Sequence, residues 1–437
     1  MSRKIISIIM AGILLVGSIW LQSIEVKPER YQQHLQEKRV NTISMNETDK
    51  LVTHLPVIVI DDKKDDDVVV KIQYILGEEQ TEYIAQIEQL VGTTEKKSYQ
   101  IKTLQNSGNE EHYGIWILDG MQEDSTFMRN YIGYTLAGQM RLKSPEVEFC
   151  ELIINGEYKG LYLLTEKLCD GKIPPEFIDE STSFTEATPY MFELTMTKDK
   201  NDRQLNTFRD YTGRKRMVEG AEQTVEVVYP DATLTKNQID YIERDISKFE
   251  KSLASFDSAD LEYGYPSFID IGDFIDYYVL NEWMMNTQAM RDHTFIYKNI
   301  EDKFQIITND FNHSFKVTEQ GRSVVDNMIM SDIYWYHYLV KDEMFVAEII
   351  ERYRELREDV LNTDRVIELI DEVVKYLEPA IEREGMLGNS QIDYQEEVRK
   401  LKQIVVERTG YLDENIDTLK SQAHYSINKQ FKHVEEK

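Results

Sequence analysis

Between Leu51 and about Met196, apolar residues recur mainly at every second position. "LPVIVI" at 55–60 and "VVVKIQYIL" at 68–76 predict two strands around the acidic turn "DDKKDDD", and "KKSYQIKTL" at 96–104 predicts a third. At 124–140, "DSTFMRNYIGYTLAGQM" places Phe127, Tyr131, Tyr134 and Leu136 along one side of a helix, with Asp124 or Ser125 as its cap. A hairpin is expected at 149–166 around Asn155-Gly156, the pair that type I′ turns prefer, and "PYMFELTM" at 189–196 adds a strand. From about Leu234 the period lengthens to 3.6. Helices are predicted at 236–255, 267–286, 343–361, 364–384 and 391–419, the fourth carrying Val366, Ile367, Ile370, Val374, Leu377 and Ile381 on one stripe. One short strand pair, "HTFIYKNIEDKFQIITND", interrupts the helices. The expected fold class is therefore α+β, with a β-rich half at 51–233, a helical half with an embedded hairpin at 234–425 and a polar tail at 426–437.

The ends of the chain change the picture of where it resides. Ile5 to Ile24 carry no charge and follow Arg3 and Lys4, which matches the roughly 20 apolar residues needed to span a bilayer with a positive flank inside. A cleaved signal has a shorter apolar region, about 7–15 residues, ending in small residues. Residues 1–24 are thus read as a membrane anchor, 25–50 as a polar stalk, and the remainder as extracytoplasmic. The 437 residues include 50 basic and 79 acidic side chains, a formal charge of −29 that excludes a surface built to track nucleic acid. With 41% hydrophobic and 11% aromatic residues the composition is that of a globular protein. Its two cysteines, Cys150 and Cys169, do not suit a disulfide. An uninterrupted hairpin sets Cys150 opposite Leu161, roughly 26 Å along the strand from Cys169, so both are expected to be free and buried.

The segments "EKKSYQIKTL", "WILDGMQEDSTFMRNYIGYTLAGQM", "ELIINGEYKGLYLLTEKL", "FIDYYVLNEWMMN", "HTFIYKN" and "FQIITNDFNHSF" resemble, in order and spacing, the CotH family of spore-coat-associated proteins and cell-surface relatives. The late stretch "RYRELREDVLNTDRVIELIDEVVKYLEPAIEREG" resembles the family's C-terminal part, and the likeness runs from about 55 to 420. It implies a two-lobed atypical protein-kinase fold using ATP with Mg²⁺ or Mn²⁺. It also implies a protein substrate, or a coat or envelope partner, as acceptor.

Kinase chemistry needs a lysine on the phosphates, a carboxylate at the attacking hydroxyl, and an Asn and a second Asp on the metal. Against the family pattern N-x-D-x-x-x-x-N, followed later by W-D-L-D, the resemblance sets Asn286 on the first Asn and Gln288 on the catalytic Asp. His293 falls on the metal-binding Asn, and Asp310 on the first Asp of W-D-L-D, with Asn309 and Asn312 beside it. Gln288 cannot accept a proton, and His293 is a poor ligand for oxygen-seeking Mg²⁺. Asp292 is the carboxylate placed to substitute for the missing base. Lys97 is the candidate for the nucleotide phosphates, against the alternative that Lys96, Lys97 and Lys102 are solvated edge charges. Glu166 falls where a kinase has its interlobe hinge. Arg129 matches the family's Arg-Asn pair, or ties its helix to a neighbouring carboxylate. An Asp after a strand can also simply close an Asx turn, the plain alternative for Asp310. An inactive scaffold or an adhesion module remains the competing function.

Overall fold

A computed structural model of the protein describes residues 35, 40–44, 50–61, 69–90, 96–106, 114–167, 186–196, 203–212, 224–230, 234–308, 310–316, 324–387 and 393–424. The expected anchor at 5–24, most of the stalk, Cys169, Asn309 and the tail lie outside these residues. Among the described residues no helix is long and apolar enough to cross a membrane.

The folded part starts earlier than Leu51. Asn41–Ser44 (β1) pairs with Lys50–Thr53 (β2), and the buried Asn41 amide donates to Leu55 O. Val57–Asp61 (β3), Val69–Leu76 (β4), Glu79–Gln89 (β5), Tyr99–Asn106 (β6) and Ile115–Asp119 (β7) form an antiparallel meander. Helix Arg129–Gln139 (α1) follows. It begins five residues later than the sequence suggests, because Phe127 takes a left-handed φ of 58° that no helix accommodates. Asp124 still caps the approach, its carboxylate accepting from the backbone N–H groups of Thr126, Met128 and Arg129.

Hairpin Val147–Ile154 (β8) and Glu157–Glu166 (β9) then closes the sheet. β9 pairs with β7 and β8 lies parallel to β3, giving a seven-stranded barrel in the order β3-β4-β5-β6-β7-β9-β8. Ile58, Ile72, Tyr83, Ile101, Trp116 and Leu164 fill its interior. Ile154 faces Glu157 across the Asn155-Gly156 turn as expected, but Cys150 faces Tyr162 rather than Leu161. A bulge beside Leu152 and Ile153 shifts the register by one residue, and Gly160 lies there at φ 97°. Cys150 is buried, and burial pushes its thiol well above the ordinary range.

The second half is not separate from the first. Tyr190–Thr195 (β10), Gln204–Leu205 (β11) and Thr224–Tyr229 (β12) precede helices Lys236–Leu253 (α2) and Ile271–Trp283 (α3). The predicted pair Thr294–Lys298 (β13) and Gln305–Ile307 (β14) joins them in a sheet ordered β11-β12-β10-β13-β14. The boundary expected at 233–234 therefore runs through the connectivity of one sheet. Helices Glu343–Glu358 (α4), Thr363–Met386 (α5) and Tyr394–Asn415 (α6) complete the chain, near their predicted limits. Side chains set their starts: Asp342, Asn362 and Asp393 each accept from first-turn N–H groups, and Thr235 with Gln238 forms a capping box on α2. One core runs from Phe149 and Leu163 on the barrel through Tyr131 to Trp283, Trp335 and Leu377.

Candidate functional site

The Asp310 turn is seated on α1. Its backbone N–H donates to the Tyr134 hydroxyl (3.1 Å), and the Phe311 N–H is hydrogen-bonded to Asn130 Oδ1. The Phe311 ring lies edge-on to Tyr134 at 5.5 Å and presses on Gly133, where a Cβ would approach ring atoms to 2.3 Å. From the other side Asn286 Nδ2 donates to Asp310 O (3.1 Å) and to Asn281 Oδ1 (2.9 Å). The apolar end of β14 thus delivers Asp310 to the seam between α1 and α3, at a left-handed φ of 57°. Five of the nine non-glycine residues with positive φ among those described fall at 285–315, so backbone strain is concentrated around this turn.

Asp310 closes an Asx turn, its Oδ1 accepting from Asn312 N (2.9 Å), and it is also matched by a second carboxylate. Asp119, at the end of β7, is half-buried. Burial pushes its carboxyl above the usual range, the Met121 N–H lowers it, and the neighbouring charge of Asp310 raises it further. The Asn312 side chain hydrogen-bonds to Asp119 as well, and Ser98 Oγ lies 3.4 Å from Asp119 Oδ1. The buried Asn312 Oδ1 has no hydrogen-bond partner among the described residues. Two carboxylates from opposite halves, each hydrogen-bonded to Asn312, and the Asn312 amide oxygen offer only oxygen donors, so by residue type they suit Mg²⁺ or Mn²⁺. Asp119 was not foreseen. Its signal was present in "WILDG", which, like "IITND", sets an Asp at the end of an apolar strand.

The other expected residues divide. Lys97 is adjacent to Ser98, half-buried, and its carbonyl accepts from the Tyr162 hydroxyl (3.0 Å). Lys96 is no edge charge. It is buried, 2.7 Å from Glu384 of α5, and burial lowers its ammonium pKa while Glu384 opposes that. Glu166 pairs with Trp116 while Asp119 pairs with Leu163, so it stands three residues, roughly 10 Å, along the strand from Asp119. Arg129 is held by Asp124, the tie to a neighbouring carboxylate. It also borders a cavity of ≈ 430 Å³ with Glu123, Phe315 and Lys316. Burial lowers the Lys316 ammonium pKa, Arg129 lowers it further, and Glu123, Asp124 and Asp310 oppose.

Gln288 lies in the turn after Asn286, whose Oδ1 accepts from Gln288 N (3.2 Å). Asp292 is turned to Met196 N, which donates to its Oδ1 (3.1 Å), and to His293, whose Nε2 is 3.8 Å from its Oδ2. His293 Nδ1 is 2.8 Å from Glu193 Oε1. That hydrogen bond raises the imidazole pKa to about 9 against the effect of burial, with the charges of Glu193, Asp292 and Asp310 adding to it. The structure therefore brings Asp310 within electrostatic reach of Asp119, and groups Asp292 with His293 and Glu193.

A family model described as CotH kinase protein matches residues 89–412, well over half of the chain. No curated protein matches it.

Proposed function

The chain belongs to the CotH kinase protein family, and from that premise we propose that it is a two-lobed atypical protein kinase. In this reading it moves the γ-phosphoryl group of ATP to Ser or Thr of a surface, envelope or spore-coat protein. Residues 5–24 hold it to the membrane, with the bulk of the chain extracytoplasmic. The observation that carries the reading is the meeting of Asp119 from the barrel with Asp310 from the second half, bridged by Asn312. These residues would hold Mg²⁺ or Mn²⁺, which when bound neutralises charge on the transferring phosphates. Lys97, next to Ser98 in the chain, is assigned to the phosphates. Glu166, at the barrel's exit toward β10, is assigned to the nucleotide's hinge side. A chain of charge −29 favours basic acceptors.

Phosphoryl transfer depends chiefly on positioning and electrostatics, so a weakened base slows it without removing the means to bind. Gln288 holds no proton-accepting group, and Asp292 is the nearby carboxylate left for that role. A specific observation favours the second reading, an inactive scaffold that binds nucleotide: Asp292 is already engaged by Met196 N and His293. Incorporation of labelled phosphate into a Ser-rich basic acceptor separates the two. The kinase reading expects slow transfer that rises at least about tenfold in Gln288→Asp and is lost in Asp310→Asn. No transfer by either the native chain or Gln288→Asp, with nucleotide still bound, leaves the scaffold.

A further inference from the structure

We propose that Glu193, Asp292 and His293 form a separate site for a divalent transition metal such as Zn²⁺, filled without any nucleotide. Glu193 stands in the middle of β10 and is held from both sides, opposite Glu226 of β12 and Phe295 of β13. Asp292 and His293 come from the turn that leads into β13. The imidazole lies between two carboxylates, with Nδ1 at 2.8 Å from Glu193 and Nε2 at 3.8 Å from Asp292. One donor atom from each of the three residues lies within 4.8 Å of the other two.

Zinc bonds of about 2.0–2.2 Å separate tetrahedral donors by about 3.4 Å, so donors lying within 4.8 Å of one another close by at most about 1.4 Å to bind one ion through a single imidazole nitrogen. Asp292 is partly pre-oriented, since its Oδ1 is held by Met196 N. The His293 side chain is 56% exposed, which leaves room for water to complete the coordination. An imidazole with two carboxylates suits Zn²⁺, Co²⁺ or Mn²⁺, whereas the all-oxygen set at Asp119 and Asp310 suits Mg²⁺. Glu226, directly across from Glu193, and the nearby Asp310 add negative charge that a cation relieves. Filled, the site clamps the turn between α3 and β13 onto the central strand of the sheet, next to the Asp310 turn.

The test is titration of the whole, chelator-stripped chain with Zn²⁺ alone by calorimetry, followed by Co²⁺ absorption spectra. One Zn²⁺ per chain is expected. His293→Ala and the isosteric Glu193→Gln each weaken it at least about tenfold, and the visible Co²⁺ bands disappear in His293→Ala. Asp310→Asn reduces zinc affinity less than either substitution. Absence of stoichiometric zinc binding overturns the proposal, as does an affinity unchanged in His293→Ala or lowered most by Asp310→Asn, which puts the ion at the Asp310 turn instead. Because no nucleotide is used, these outcomes are independent of whether the chain binds ATP or transfers phosphate.

Discussion

Asp310 shows how one residue serves two readings at once. Its Oδ1 closes an Asx turn on Asn312, while its charge bears on Asp119 across the seam. The family resemblance pointed to Asp310, at the end of an apolar run that by itself suggests only an Asx turn. The sequence could not point to the pairing, because Asp119 lies far away in sequence and meets Asp310 only once the barrel and α1 are in place. A buried carboxyl makes a sharper test of residue-scale electrostatics. Asp273, in the first turn of α3, is pushed to about 7 by burial, with Asp270 and Asp276 adding and Arg141 and Lys143 opposing. Its folded value exceeds the unfolded value of about 3.9, so the native state keeps a proton that the unfolded chain releases. Stability present below about pH 4 is therefore lost as pH rises through 7. Asp273→Asn keeps the side chain neutral. It is expected to gain stability over the native chain as pH rises, by about 4 kcal/mol at most above pH 7, with no difference near pH 4. Urea denaturation across that range checks this, and a gap that does not widen with pH contradicts it.

Among the elements, those with a strong local period were legible. The helices from Lys236 onward match their apolar stripes, and the β8–β9 and β13–β14 pairs match their turns. β5, with "EQTEYIAQIEQ", and β12, with "TVEVVY", were missed, because their polar residues hide the alternation that pairing partners on both sides make sufficient. Barrel closure depends on the parallel β3–β8 contact, which no local pattern encodes. The bulge in β9 was equally invisible, yet it organises the joint with α5. There Glu384 accepts from Leu161 N (2.8 Å), Lys96 Nζ donates to Leu161 O (2.5 Å), and a Cβ on Gly160 would come within 2.0 Å of Glu384 Oε2. Both ends of the Lys96–Glu384 pair are at most 4% exposed. Glu384→Ala leaves a buried ammonium unpaired and is expected to cost about 3–5 kcal/mol, whereas the double change Lys96→Met with Glu384→Leu regains most of it. Equal losses in the single and double variants, measured by denaturation, would contradict this role. Gly160→Ala combines the clash with a left-handed φ and is expected to destabilise by about 2–4 kcal/mol in the same assay.

At the scale of the molecule, the division into a β-rich and a helical half is visible in the shift of hydrophobic period, but the halves interlock. β13 and β14 extend a sheet begun before residue 234. α5 is fastened to the barrel by Lys96–Glu384, by Arg383 on Glu151 (2.8 Å), and by His54 on the Tyr376 carbonyl (2.7 Å). The folded part is therefore expected to unfold in one cooperative calorimetric transition, and two resolved transitions would show that these joints do not couple the halves. The same interlocking brings Asp119 to Asp310, on which the functional account rests. The most direct measurement is the thermal shift of the chain on adding ATP with Mn²⁺. Ligand at about 100 times its Kd stabilises by about 2.7 kcal/mol, a rise of several degrees. The account predicts that rise in the native chain and its loss in both Asp310→Asn and Asp119→Asn, each compared with its own nucleotide-free melting point. No shift in the native chain, or a shift that survives either substitution, would contradict it.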